Sequence, residues 1–413
     1  MKSEAELLVG LDIGTTKTCC VIGQRTDDGI NVVGVGVHPS KGMRRGVVID
    51  IEATTHSIRR AVDEAEVMAG CEVNAVHAGI AGGHIETRNE IGMLALRDRE
   101  VRQSDVERVI EQAQAVAIPA DREVIHVIAQ EFELDGQDGI TQPVGMSGRR
   151  LTARVHIVTA AVTSAQNVIK CCNRAGLHVI DIVLEPLASA EAVLSPDEKE
   201  LGVALVDIGG GTTDLAIFDD GAIQHSAVLS LGGYHFTNDA AVGLRTPFDQ
   251  AEKLKRRFGC ASERLIGQNE IVMVPGVGGR APREIGRKDL AQILEPRAEE
   301  ILTLVKNEIV RAQYLDKIPC GVVLTGGSSS LDGICELAEE IFEVPVRRGI
   351  PRAVGGLADR VQAPEFSTGV GLALWGSTRI VRPRFRIHDG SAFRMVRDRM
   401  RAWLYGDLAK KKH

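Results

Sequence analysis

The sequence predicts an α/β fold in which two pseudo-equivalent domains, each a sheet packed on helices, face one another. Two observations predict it. Leu201 to Phe218, LGVALVDIGGGTTDLAIF, runs from an apolar stretch through Asp207, Ile208, three glycines and two threonines into a second apolar stretch, the pattern of a strand, a tight turn and a returning strand. Leu8 to Thr18, LVGLDIGTTKT, repeats it at Asp12-Ile13-Gly14-Thr15-Thr16, and each copy is followed by an apolar strand and an Asp-Asp-Gly turn, at Asp27-Asp28-Gly29 and Asp219-Asp220-Gly221. A lone Gly-rich hairpin is usually only a turn. A second copy implies two equivalent domains facing one ligand.

Glycines 209–211 let backbone N–H groups approach a phosphate without Cβ interference, threonine hydroxyls add donors, and a carboxylate at a strand end can hold a hydrated cation. Polyphosphate with magnesium is the expected guest. A length of 413 residues suggests about two to three domains, and the 44% apolar content supports a well-packed soluble protein. No basic segment leads into an uninterrupted apolar run, because Leu7 to Leu11 is closed by Asp12. No apolar segment approaches the roughly 20 residues that span a bilayer, so the body is expected in the cytoplasm. The cysteines include the adjacent pairs Cys19-Cys20 and Cys171-Cys172 but no C-x-x-C spacing, and they read as small core hydrophobes in a reducing compartment.

Residues 1–84 begin the first domain. Ile30 to Val37 continues a strand meander and Gly46 to Ile51 adds a short strand. Thr54 to Ala69 has helical spacing, with Ile58, Ala61, Val62, Ala65 and Met68 on one side and Arg59, Arg60, Asp63 and Glu64 opposite. Gly70 stops that helix, and Val73 to Ile80 is a strand closing on Gly82-Gly83. Residues 85–162 change texture and read as a small inserted subdomain without chemistry of its own. It has one helix, Ser104 to Ala117, capped by Ser104 with Glu107 at the capping-box position. A strand, Val124 to Leu134, and an exposed excursion, Asp135 to Arg150, follow. Residues 163–199 return to the first domain with the helix Ser164 to Ala175, the strand Leu177 to Leu184 and a helix opening on EPLASA at Glu185 to Ala190. Residues 200–235 begin the second domain's core, 236–303 are its outer subdomain, and 304–380 complete the core with a return helix. Residues 381–391 are a linker and 392–413 a tail.

The order DIGTTK, EPLASA, DIGGGTTD, LTGGSSSL (Leu324 to Leu331) and GVGLALWG (Gly369 to Gly376) resembles the five-part nucleotide site of the actin, Hsp70 and sugar-kinase superfamily. There the first and third motifs cradle phosphates, the second and last form helices linking the two domains, and the fourth lies along the adenosine. Within that superfamily the chain resembles the FtsA family of bacterial cell-division proteins over essentially its whole length. GITQPVGMSGRRL (Gly139 to Leu151), VPGVGGRAPREI (Val274 to Ile285), ILEPRAEEI (Ile293 to Ile301) and an arginine-rich amphipathic tail carry that likeness.

The resemblance implies an actin-like two-domain fold with duplicated cores, an FtsA-type inserted small subdomain placed on a different side of the first domain from actin's, and a C-terminal amphipathic helix. It implies ATP and Mg2+ as ligands. It further implies polymerisation into an actin-like filament, tethering of the FtsZ ring to the cytoplasmic face of the inner membrane at the division site, and recruitment of later division proteins. No nucleic-acid partner is expected. By position, Asp12 and Asp207 resemble the cation-side carboxylates, acting through water, and Glu185 the acid that contacts hydrated magnesium. Gly14, Thr15, Thr16 and Lys17 resemble the first phosphate loop, and Gly209, Gly210, Gly211, Thr212 and Thr213 the second. Lys17, the cation of these loops, would meet the β-phosphate as a point charge. Gly326, Gly327 and Ser328 resemble the adenosine motif, Gly232 and Gly233 a further backbone approach, and Glu252 and Lys255 a clamp on ribose and base. That last pair also reads as a solvated i,i+3 surface pair. The outer subdomain would receive the acidic C-terminal peptide of FtsZ, near Lys253, Lys255, Arg256, Arg257, Arg280, Arg283 and Arg287, unless these form a solvated basic face.

The tail is informative on its own residues. From Arg379 to His413 there are 11 Lys and Arg against three Asp, a net +8, which leaves −15 on the rest of a chain whose total is −7. On a helical wheel Phe393, Val396, Met400, Trp403 and Leu404 share one arc, with Arg394, Arg397 and Arg401 on one flank and Arg399 on the other. That is the pattern of a helix lying in an anionic lipid interface. A terminal helix docked on its own domain and a calmodulin-type target helix are the alternatives. Three other classes stay open by fold: a type IV pilus scaffold, for which this tail is unexpected; a small-molecule kinase, which needs an acceptor-site Asp; and an Hsp70-like chaperone, which needs a further domain. No residue is identified as positioning an attacking water, so a weak ATPase activity stays open.

Overall fold

The computed structural model describes residues 7–27, 29–97 and 100–378; the linker and the tail residues Phe393, Arg394, Val396, Arg397, Met400, Arg401, Trp403 and Leu404 lie outside them. Strands here are near-continuous apolar runs, which suits sheets covered on both faces. The first sheet has the spatial order His178–Leu184, Ala75–Ile80, Leu7–Ile13, Lys17–Thr26, Gly29–Pro39, Val354–Gly356. The second runs Ala222–Leu229, Thr213–Asp219, Val203–Ile208, Val322–Thr325, Val346–Arg348. In each, the motif strand lies at the centre, antiparallel to its hairpin partner and parallel to the strand on its other side. The duplication predicted from two short motifs is therefore a duplication of whole cores. Their registers match: Asp12 lies opposite Cys19, and Asp207 opposite Asp214. The second hairpin's far turn has Asp220 at φ 50° and Gly221 at φ 72°, the backbone that an Asp-Gly pair supplies.

The first helix spans Ile51–Ala69, begins three residues before its expected start, and is capped by Asp50, whose Oδ1 accepts from Ala53 N at 3.0 Å. The short strand expected over Gly46 to Ile51 shrinks to Val47–Val48, because the helix takes over its end. Gly70 closes the helix as expected.

The insert is a four-stranded sheet ordered Glu86–Ala95, Arg150–Ala161, Arg122–Leu134, Gln137–Ile140, packed on the helix Gln103–Gln114. That helix starts earlier than its sequence suggests: the Arg102 N–H donates to Asp105 at 3.1 Å, so Asp105 does the work expected of Glu107. Asp135 to Arg150 is less of an excursion than expected, since Gln137–Ile140 joins the sheet and Ile140 enters the insert's core with Leu94, Phe132 and Leu151. The Asp135 carboxylate fastens its two ends by accepting from Arg149 N and from Arg150 N at 2.8 Å.

The insert also touches the second domain. Side chains from three of its strands reach the edge strand Ala222–Leu229: Thr87 Oγ1 donates to the Ser226 carbonyl at 2.7 Å, Asn89 Nδ2 to the Gln224 carbonyl at 2.9 Å, and Gln130 Nε2 to the Ile223 carbonyl at 2.8 Å. Buried His156 completes the seam between Ser226 Oγ, 2.9 Å, and Asn89 Oδ1, 2.7 Å.

The second domain's outer part holds the helices Gly233–Leu244, Phe248–Phe258 and Arg287–Arg311 and a hairpin, Ile271–Val274 with Arg283–Gly286. It does not present a uniform solvated basic face. Lys255 turns inward, Arg256 pairs with Glu365 at 3.3 Å, Arg283 donates to the Leu244 carbonyl, and Arg287 pairs with Glu270 and Asp332. Two helices, Glu185–Val193 and Ser367–Thr378, link the domains, as the motifs implied. They cross so closely that a Cβ on Gly371 would fall 1.8 Å from the Ala188 carbonyl oxygen.

Candidate functional site

The two hairpin turns meet. A Cβ on Gly210 would lie 2.5 Å from Thr16 Cγ2, and one on Gly211 2.4 Å from Thr15 Oγ1, so only glycine admits this approach. The motif strands deliver Asp12 and Asp207 to the same place, and Glu185 arrives from the first linking helix. A fourth carboxylate, Asp214, comes from the returning strand and is absent from the sequence-based set. Its signal was in DIGGGTTD, at the position where the first hairpin carries Cys19.

These carboxyls crowd one another. Burial lifts Asp12 to about 6, with Lys17 pulling down and Asp207 pushing up. Burial holds Glu185 and Asp214 well above the carboxylate range, reinforced by the neighbouring carboxylates, and Asp207 is raised by the same cause. Asp214 Oδ1 finds no hydrogen-bond partner. Such a cluster is relieved by a cation or by protons. Among the described residues no three His, Cys, Asp or Glu side chains have metal-ligand spacing. Polar crowding and a glycine cradle that a Cβ would fill together fit a polyphosphate with hydrated magnesium.

Thr212 and Thr213 are used otherwise than expected: their hydroxyls donate to Asp214 and to the Leu231 carbonyl, each at 2.9 Å. They stiffen the hairpin and leave its backbone to face the ligand. Lys17 donates to the Glu365 carbonyl and lies 4.6 Å from the centre of the Phe366 ring, while staying close enough to bias Asp12 and Asp207.

At the other end the expected residues converge. Ser328 Oγ donates to the Gly209 carbonyl at 3.2 Å, and a Cβ on Gly233 would meet Ser328 Oγ and Lys255 Nζ. Gly232 packs as closely on the Gly209 carbonyl. Gly326, at φ 82°, lies where a Cβ would be 2.2 Å from Asp207 Oδ1, and Gly327 borders Glu365. Lys255 is no solvated surface lysine. It pairs with Glu252 at 2.7 Å, donates to Thr237 at 2.9 Å and to the Gly233 carbonyl at 3.1 Å, and burial lowers its pKa.

A family profile described as "Cell division protein FtsA" matches residues 204–371, and one described as "SHS2 domain inserted in FTSA" matches residues 82–159. The chain is 51% identical over 410 residues, 98% of each chain, to the cell division protein FtsA of Pseudomonas aeruginosa. The chain belongs to the FtsA family. FtsA of Escherichia coli K12 is 42% identical across 91% of both chains. Among solved structures, the PilM–PilN type IV pilus biogenesis complex shares the fold at TM-score 0.66 and 18% identity, covering 90% of this chain and 99% of that one. MreB5 of Spiroplasma citri, solved bound to ADP, does so at TM-score 0.54 and 16% identity, covering 91% and 98%. This is therefore a cell-division protein of actin-like fold, and its insert is the family's SHS2 domain.

Proposed function

We propose that this protein binds Mg2+-ATP between its duplicated cores, polymerises, and tethers the FtsZ ring to the cytoplasmic membrane through residues 392–413. The observation that carries the nucleotide reading is the meeting of two glycine hairpins beside three buried carboxylates, Asp12, Asp207 and Asp214, and the half-buried Glu185. Bound nucleotide would supply the phosphates and magnesium the positive charge that the cleft lacks. In this reading Asp12, Asp207 and Glu185 orient the hydrated cation, Gly209–Gly211 and Gly14 present backbone N–H groups, and Gly326, Gly327 and Ser328 leave a flat bed for the nucleoside beside the Glu252–Lys255 pair. Calorimetry tests it: Asp207→Ala should abolish most Mg2+-ATP affinity with the fold intact, and an unchanged affinity would remove the two-hairpin reading.

The partner reading narrows to exposed cations of the outer part, of which Arg257 also lies 5.0 Å from the centre of the Phe258 ring. Lys253, Arg257 and Arg280 lie exposed, whereas Arg256 and Arg287 are ion-paired. An acidic FtsZ tail peptide would be steered by charge. Its binding should weaken with salt and with Lys253→Glu, Arg257→Glu and Arg280→Glu; a salt-independent affinity that survives all three rejects this surface.

A further inference from the structure

Asp207 is the cation-side carboxylate on which the nucleotide reading leans most, and something must hold it. Its Oδ2 accepts two hydroxyls. Ser189 Oγ donates at 2.7 Å and Thr368 Oγ1 at 3.2 Å, and the two hydroxyl oxygens are 3.0 Å apart. Ser189 and Thr368 are fully or nearly fully buried. Their origin matters more than their number. Ser189 belongs to the linking helix Glu185–Val193 and Thr368 to the linking helix Ser367–Thr378, one hydroxyl from each. The helices touch beside this triangle, where Gly371 lies against Ala188 and Ser189 N. The neighbouring Ser367 hydroxyl ties the start of the return helix to Thr325, 2.7 Å away, one residue before the adenosine motif.

We infer that Ser189 and Thr368 are positioning residues that lock the Asp207 carboxylate to the crossing of the two interdomain helices, so that the cation-side carboxylate and the angle between the domains are set together. The argument is geometric. An oxygen that accepts from two helices at once keeps both bonds at one crossing geometry only; sliding either helix breaks one of them, since hydrogen bonds weaken steeply with distance and angle. Oδ2 is engaged by both hydroxyls, and the Gly326 backbone comes close on the Oδ1 side, so the carboxylate is held from both ends. A hydrated cation drawn to Asp207 would thereby favour the crossing that satisfies both hydroxyls, and the crossing would in turn tune cation affinity, a reciprocal coupling.

This inference rests on the nucleotide reading above, and the experiment separates the two. ATP binding to the full chain is measured by calorimetry with saturating Mg2+ and with the metal chelated, for the parent, Asp207→Ala, Ser189→Ala, Thr368→Val, their double variant and Thr368→Ser. Ser189→Ala and Thr368→Val should each reduce Mg2+-ATP affinity by about tenfold, the worth of a hydrogen bond to a charged group, with little change in metal-free binding. Because the two hydroxyls share one acceptor oxygen, the double variant should lose less than the product of the two. Thr368→Ser, which keeps the hydroxyl, should retain the parental Mg2+ dependence. If Asp207→Ala loses Mg2+-ATP while both hydroxyl variants keep the parental Mg2+ dependence, the positioning role is overturned and the nucleotide reading stands. Equal losses with and without Mg2+ would also overturn it, marking the hydroxyls as packing. If Asp207→Ala binds Mg2+-ATP as the parent does, both readings fall.

Discussion

Lys17 is the cation of the first phosphate loop, and it already has partners, the Glu365 carbonyl and the Phe366 ring. To reach a β-phosphate it must exchange both, so its net contribution is the difference between a charged hydrogen bond to phosphate and these contacts. Lys17→Ala should cost about 1.5 to 3 kcal/mol of ATP binding by calorimetry if the phosphate wins; a loss near zero makes it a strut for Pro364–Phe366. Asp12, Asp207 and the glycine turns were legible because each sits in a short repeated string. Asp214 was written in the same string, yet its role showed only once strand register set it opposite Asp207. Thr368 and Glu365 were not legible: their partners Asp207 and Lys17 lie 161 and 348 residues away, and no local pattern encodes such a contact.

At the scale of elements, the seam between the insert and the strand Ala222–Leu229 covers a sheet edge whose carbonyls would otherwise lack donors. Removing one donor while leaving its buried acceptor is costly, and Gln130→Ala should lower stability by about 1 to 3 kcal/mol in denaturant unfolding. The seam also predicts acid sensitivity. His156 is pushed down from 6.5 to about 3, chiefly by burial and then by nearby His225, whose own partner is Glu308. The unfolded chain therefore takes up a proton below pH about 6.5 that the folded seam refuses, and the stability this residue contributes above that pH falls by about 1.4 kcal/mol per unit on the way towards 3. His156→Gln should flatten this part of the pH profile of the thermal midpoint; an unchanged slope would place the acid sensitivity elsewhere. Most strands were readable as apolar runs, and the linking helices were implied by the family resemblance, whereas the order of strands in each sheet was not; two helix starts shifted by one to three residues because Asp50 and Asp105 cap better than their neighbours. The seam had no sequence signal, being four polar side chains scattered over three strands.

For the whole molecule the decisive feature is charge placement, a body of −15 and a terminal stretch of +8. A body so acidic would be repelled by an anionic leaflet, so in the proposed tether residues 392–413 would carry attachment, through two separable contributions. Phe393, Val396, Met400, Trp403 and Leu404 would supply roughly 1.5 to 3 kcal/mol per fully buried large side chain and less in a shallow interface, and the arginines about 1 kcal/mol each near negative lipid. Helix formation in so short a segment is marginal in water, so on the proposed reading folding would be coupled to binding and a single tail would hold weakly. A filament would set many tails on one surface, and avidity would then turn weak tails into stable attachment. Vesicle pelleting of the full chain with ATP tests each step. Deleting 392–413 or making Trp403→Glu should release the protein while leaving ATP binding intact, and neutralising Arg394, Arg397 and Arg401 should weaken binding mainly to anionic vesicles. Pelleting should also rise more steeply than linearly with protein concentration, because attachment follows assembly. If the Trp403→Glu protein pellets as the parent does, the tail is a helix docked on its own body and the tether reading is lost.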